Sequence, residues 1–230
     1  MNLSKTDNRR RIIAGAGAVL IGVSFLLNLL DGLNTGMFAP SQTMIALSGY
    51  RAVLNAILMI ATVFGISQLL RARADWIGLL GGAFALVGWT ASARIGVLIQ
   101  LSALSESGVE AVSPNFSEVL VQSAPTVWAS IVPIGIFFPI GLLTLGLALA
   151  WARPVYRWIG LLLALGGILF PIGRAAGQIW AIIACDIVLG AAFALIGWQI
   201  LTRPELWSKR GGDNLAESQI AGEKNESSTQ

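Results

Sequence analysis

Six long runs of mostly apolar residues dominate the chain, at about 12–33, 52–70, 76–100, 127–151, 158–174 and 179–201. A helix needs about 20 such residues to cross the hydrocarbon of a bilayer. The fifth run is short but extends into Tyr156 and Gly177. The pattern predicts an all-α fold, a polytopic membrane bundle of six transmembrane helices over residues 12–207. It leaves a basic N-terminal tail over 1–11 and a polar tail over 208–230. That last segment, rich in Glu, Asn and Ser, has too little apolar surface to build a core and is expected to be disordered. The first run is long, and Asp31-Gly32-Leu33 offers no small-residue cleavage pattern, so it is expected to be retained rather than cleaved as a signal peptide.

The polar punctuation between the runs is asymmetric. Lys5, Arg9, Arg10 and Arg11 precede the first run. Arg71 and Arg73 separate the second from the third, Arg153 and Arg157 the fourth from the fifth, and Arg203, Lys209 and Arg210 follow the sixth. With six spans these segments share one side. Residues 34–50 carry no charge, and residues 101–126 carry Glu106, Glu110 and Glu118 but no Lys or Arg. Cationic loops stay cytoplasmic, so both termini are expected in the cytoplasm of a cell (inner) membrane protein. In the acidic loop, Ser113 followed by Pro114 reads as a short helix start, with Phe116, Val119 and Leu120 on one face resting on the outer surface.

Composition agrees. Hydrophobic residues make up 55% and charged residues 12% of the 230, with a mean hydropathy of +0.74. Soluble domains carry about twice that charge. The net charge is +3, but the basic residues flank apolar runs, which reads as membrane orientation and not as a nucleic-acid surface. There is no His and a single Cys, Cys185. Histidine-ligated zinc, bis-histidine haem, Ser-His and Cys-His nucleophile pairs and internal disulfides are therefore excluded. Cys185 lies in an apolar run and reads as a small buried hydrophobe. No cofactor is implied.

A weak internal repeat runs through the chain. Trp76-Ile77-Gly78-Leu79-Leu80 opens the third run and Trp158-Ile159-Gly160-Leu161-Leu162 the fifth. Gly65, Gly146 and Gly197 precede Arg71, Arg153 and Arg203 by six or seven residues, and Trp76, Trp158 and Trp207 follow. The pattern fits three helical hairpins of one kind, although any inner boundary selects Arg and interfacial Trp.

Ionisable groups within a bilayer cost several kcal/mol unless paired or hydrated. The candidates are Asp31, Arg51, Arg94, Arg174 and Asp186, all in the outer half of their spans. Arg94 and Asp186 fall at matching depths of about 9–10 Å and are the expected intramembrane ion pair. Asn28 shares a helix face with Asp31, and Arg51 one with Asn55. Together these residues outline an outward-facing polar pocket for an anionic or zwitterionic small molecule or lipid head group. The plain alternative is a charge network that fixes helix register, with arginines snorkelling to phosphates. Pro133, Pro139 and Pro171 are expected to kink their helices, and Phe138-Pro139-Ile140-Gly141 resembles Phe170-Pro171-Ile172-Gly173. Loss of the proline N–H frees the carbonyls of Gly135 and Gly167. Gly78 with Gly82, and Gly190 with Ala194, follow small-xxx-small spacing and predict close helix packing, within the chain or between copies.

Two intramembrane carboxylates beside several arginines do not make a shared-proton aspartyl dyad, and no spanning lysine offers a Schiff base. The chain is not expected to be an enzyme. Over residues 8–207 it resembles the small bacterial six-helix integral membrane proteins of unknown function, through its apolar runs, its Arg-Pro and Arg-x-Arg inner loops and its charge-poor exterior. That resemblance carries over no functional residue. The expected role is a small transporter or ligand-binding membrane protein. The alternative is a non-catalytic accessory or scaffold subunit with a membrane protein partner or a second copy of itself.

Overall fold

A computed structural model describes the backbone of residues 5–34, 42–71, 73–106, 133–174, 176 and 178–208, and side chains over these ranges except 30–50, 52–53, 91–106, 174 and 208. Every regular element among the described residues is a helix. They are α1 (Lys5–Asn34), α2 (Gln42–Leu70), α3 (Asp75–Glu106), α4 (Phe137–Ala152), α5 (Arg157–Arg174), α6 (Ile179–Thr202) and the single turn α7 (Glu205–Ser208). Three stretches, Lys5–Leu29, Pro133–Ala152 and Ile179–Thr202, are long and apolar enough to cross a membrane; Leu54–Leu70 and Arg157–Gly173 are shorter apolar helices.

Helix ends depart from the apolar runs in a consistent direction. Hydropathy finds the apolar stretch, whereas a helix continues as long as its backbone bonds are satisfied. So α1 begins at Lys5, inside the segment read as a tail, α2 begins at Gln42 and α3 runs on to Glu106, both inside segments read as loops. The surface helix expected near Ser113, and the tail beyond Ser208, lie outside the described residues.

Pro139 is the third residue of α4 but has helical residues on both sides, within the helical stretch Pro133–Ala152. Helical residues Pro133–Gly135 precede α4. Ile136 between them keeps helical dihedrals, φ −65° and ψ −22°. The hydrogen-bond ladder is interrupted there because Pro139 cannot donate to the Gly135 carbonyl. Pro171 sits inside α5, as expected.

The six long helices among the described residues form a closed ring. Each packs on its neighbours in the chain, and α1 closes the circle against α6 in the most extensive contact of all. Small residues make that closure possible. A Cβ at Gly22 would lie 2.6 Å from the Gly190 carbonyl oxygen and 2.7 Å from the Ala194 nitrogen, so the backbones of α1 and α6 approach as closely as two helices can. One end of the ring holds the turns α2–α3 and α4–α5, the start of α1 and the end of α6. This basic end is tied by arginines. The Arg11 guanidinium donates to the carbonyls of Ile200 at 3.2 Å and Leu201 at 2.8 Å, and Arg73 donates to the Ala152 carbonyl at 3.0 Å. Carbonyls in the last turn of a helix have no intrahelical donor, and these cations also suit the negative end of the helix dipole. Arg203 donates to the Tyr156 hydroxyl at 2.6 Å and stacks over its ring.

The core fills the centre of the ring. Phe25, Met59, Phe138, Leu142, Leu163, Leu189 and Phe193 are among its buried members. Across it runs a layer of aromatic rings from five helices. Phe25 stacks on Phe193 at 6.0 Å and tilts against Trp89 at 6.3 Å; Trp89 meets Phe138 at 5.0 Å, and Phe138 meets Phe170 edge-on at 4.9 Å. Pairs at these separations gain about 1 kcal/mol beyond their burial. The two Phe-Pro-Ile-Gly segments thus face each other across the α4–α5 contact, each contributing its phenylalanine to the layer.

Candidate functional site

The polar residues of interest lie beyond the aromatic layer, toward the end of the ring opposite the basic one. Asp186 is the strongest. It lies on α6 and is 2% exposed, in a helix otherwise almost wholly apolar. Its neighbour Cys185 is buried as expected, and the thiol donates to the Gly166 carbonyl at 3.6 Å. On α2, Asn55 is buried and its Nδ2 donates to the Ser24 hydroxyl of α1 at 2.8 Å.

Helix register sets the level of the rest. Gly190 of α6 faces Gly22 and Leu26 of antiparallel α1. One turn from Gly190 toward the start of α6 is Asp186, and one turn past Leu26 is Leu30. Asp186 is therefore level with the Asn28–Asp31 segment. The Asn55–Ser24 bond aligns α2 with α1, and one turn beyond that bond are Arg51 and Asn28. Trp89 touches Phe25, and Arg94 lies five residues further along α3, about 7.5 Å. Its backbone falls between the levels of Asn28 and Asp31. Five of the six candidates, Asn28, Asp31, Arg51, Arg94 and Asp186, thus share one layer. Arg174 stands apart. A Cβ at Gly173 would lie 2.8 Å from the Ile182 nitrogen, so Arg174 is about one turn nearer the far end than Asp186.

Asn28 and Arg51 are half-buried, and both Arg51 and Asp186 have interacting partners. The side chains of Asp31, Arg94 and Arg174 lie outside the described residues, and with them the Arg94–Asp186 contact itself. The freed Gly167 carbonyl belongs to a residue packed tightly on α4, where a Cβ would lie 2.8 Å from the Pro139 carbonyl oxygen. At Gly135 a Cβ would meet nothing within 4 Å.

Two members escaped the sequence reading. Ser24 precedes Asn28 by four residues and Asp31 by seven, so Ser24, Asn28 and Asp31 form one stripe along α1, a spacing that could have flagged the serine. Trp89 forms part of the floor. Its indole N–H is buried and makes no hydrogen bond among the described residues. A buried donor among these rings suits a ligand that brings an acceptor oxygen.

No protein family matches the chain, and neither a curated protein nor a solved structure is detectably similar to it.

Proposed function

We propose that this chain is an integral membrane protein of six spans, built as three hairpins α1–α2, α3–α4 and α5–α6 of one kind, with both termini cytoplasmic. Its outer half holds a small polar site that binds an anionic or zwitterionic ligand and passes it toward the aromatic layer. The observation that carries this reading is the burial of Asp186 in an apolar wall, level with Asn28 and Arg51 and above a floor of aromatic rings. A carboxylate at such depth is expensive and persists where it is paired and useful. Arg94, in the same layer, is its proposed partner; Arg51 and Arg94 balance Asp31 and Asp186 there, and Arg174, about one turn further out, supplies the net positive charge that favours a ligand with a carboxylate or phosphate.

The second reading is an accessory subunit in which the same charges only lock helix register. One experiment separates the two. Purified protein is heated in detergent with acetate, glycerol phosphate or phosphocholine as probes. Binding at 100 times Kd would stabilise the wild type by about 2.7 kcal/mol. Under the site reading at least one probe raises the Tm, and Arg94→Ala or Asp186→Asn abolishes the shift. If no probe acts and the double exchange Arg94→Asp with Asp186→Arg restores full stability, the pair is structural and the accessory reading stands. Orientation is checked separately. In a Cys185→Ser background, Ser113→Cys should react with an impermeant thiol reagent on intact cells and Lys5→Cys should not.

A further inference from the structure

The basic end carries a feature that the outer site does not use. A cleft of about 130 Å³ opens where the end of α2, the α4–α5 turn and α7 meet. Arg73 and Arg153 flank it beside Gln68, and Leu69, Pro154 and Leu206 supply apolar wall. Arg73 is held in place by one of its terminal nitrogens, which donates to the Ala152 carbonyl; its guanidinium makes no second hydrogen bond among the described residues. Arg153 is exposed and has no side-chain hydrogen bond or ion pair among the described residues. Its backbone is left-handed, with φ 54° and ψ 39°, a conformation that costs a non-glycine residue energy.

Exposed aromatics fix the level of this cleft. Trp76, Trp151, Tyr156, Trp158 and Trp198 are all at least half exposed and all lie near the basic end. Amphipathic rings gather at the head-group level of a bilayer, where the indole N–H stays wet while the ring is buried. Two guanidinium groups over an apolar wall at that level match a phosphate joined to acyl chains. Arginine recognises phosphate through paired, charge-assisted hydrogen bonds, and the leucines and proline suit the glycerol and first methylenes.

The geometry points to a binding site for the head-group phosphate of an anionic phospholipid, held between Arg73 and Arg153 in the leaflet at the basic end. This inference rests on the bilayer reading proposed above and is independent of the site at Asp186.

The test is lipid retention measured by native mass spectrometry after purification and delipidation, with phosphatidylglycerol and phosphatidylcholine supplied as an equal mixture. The wild type should retain phosphatidylglycerol in preference. Arg153→Gln should lower that preference about tenfold, the scale of one hydrogen-bonded charge. Arg73→Gln should do the same, and Arg153→Lys should keep part of the preference. Arg153→Gly is the sharpest variant, because it relieves the left-handed backbone. It should raise the Tm while weakening lipid retention, a combination that misfolding cannot produce. Arg71→Gln, on the same turn but outside the cleft, should change little. Equal losses in Arg71→Gln and Arg153→Gln would mean diffuse attraction and overturn the site. Displacement of the lipid by millimolar inorganic phosphate would overturn the lipid as its occupant. A protein that stays dispersed without detergent would instead sink the bilayer reading.

Discussion

Arg153 illustrates how one residue can hold two demands at once. It ends α4 where glycine is the usual choice, because a left-handed residue bearing a Cβ costs about 1 kcal/mol. Arg153→Gly should therefore stabilise the folded protein by about 1 kcal/mol, read from unfolding in a denaturing detergent titration. The Ser24–Asn55 bond makes the opposite kind of prediction. Interhelical hydrogen bonds in membrane proteins are worth about 0.6 kcal/mol on average and less than about 2 kcal/mol at most. Asn55→Ala should cost roughly that much in the same titration, and adding Ser24→Ala should cost little more, since the two residues share one interaction. At this scale the sequence was informative where a polar group interrupts an apolar run. Asp186 and Asn55 stood out for that reason. Ser24 did not, because serine is common in membrane helices and its hydroxyl can bond its own backbone. Trp89 was hidden for a different reason: an indole reads as core, and only packing reveals that its N–H has been left without an acceptor among the described residues.

At the level of elements, an apolar run falls on every long helix among the described residues but does not mark its ends. Lys5–Arg11 became helix because lysine and arginine are good helix formers and Arg11 caps α6. Residues 42–50 and 101–106 became helix although they lack the continuous apolar character that marks a span. Proline was read correctly as a ladder break: Pro139 leaves the Gly135 carbonyl without its donor, while Ile136 between them stays helical in its dihedrals. Pro139→Ala should return a donor to the Gly135 carbonyl and join Pro133–Gly135 to α4 in one ladder. Hydrogen exchange would show it, as a protected backbone N–H at position 139, where the wild type has none. The seam between α1 and α6 makes a harsher prediction. Gly22→Val would drive a side chain into the Gly190 carbonyl and should cost about 1–3 kcal/mol, the usual penalty of overpacking. Gly135→Ala, where a Cβ meets nothing within 4 Å among the described residues, should be neutral or slightly stabilising.

For the whole molecule, chain order and spatial order coincide around the ring, apart from the one contact that joins its two ends. Sequence reading supplied hairpins, but hairpins alone do not close a circle. Closure depends on Gly22, Gly190 and Gly197 meeting across α1 and α6, and small-residue spacing on one helix does not name its partner. That contact joins residues about as far apart in the chain as any in the protein, as the Arg11–Leu201 bond spans 190 positions. Contacts of such separation carry the largest loop-closure cost, so this seam should be the last to form when the protein inserts and folds.

Because α1 and α6 lie side by side with Arg11 touching Leu201, the circle has no obligatory starting point. A gene rewired to begin at Asp75, running through α6 and then by a short flexible linker into α1 and α2, would encode the same six-helix annulus. Its new ends would emerge at the basic end of the ring, as the old ones do. The rewired protein should reach the same Tm to within a few degrees. It should also be less sensitive to Gly22→Val, since the linker now holds together the two helices that the native chain must bring together from opposite ends.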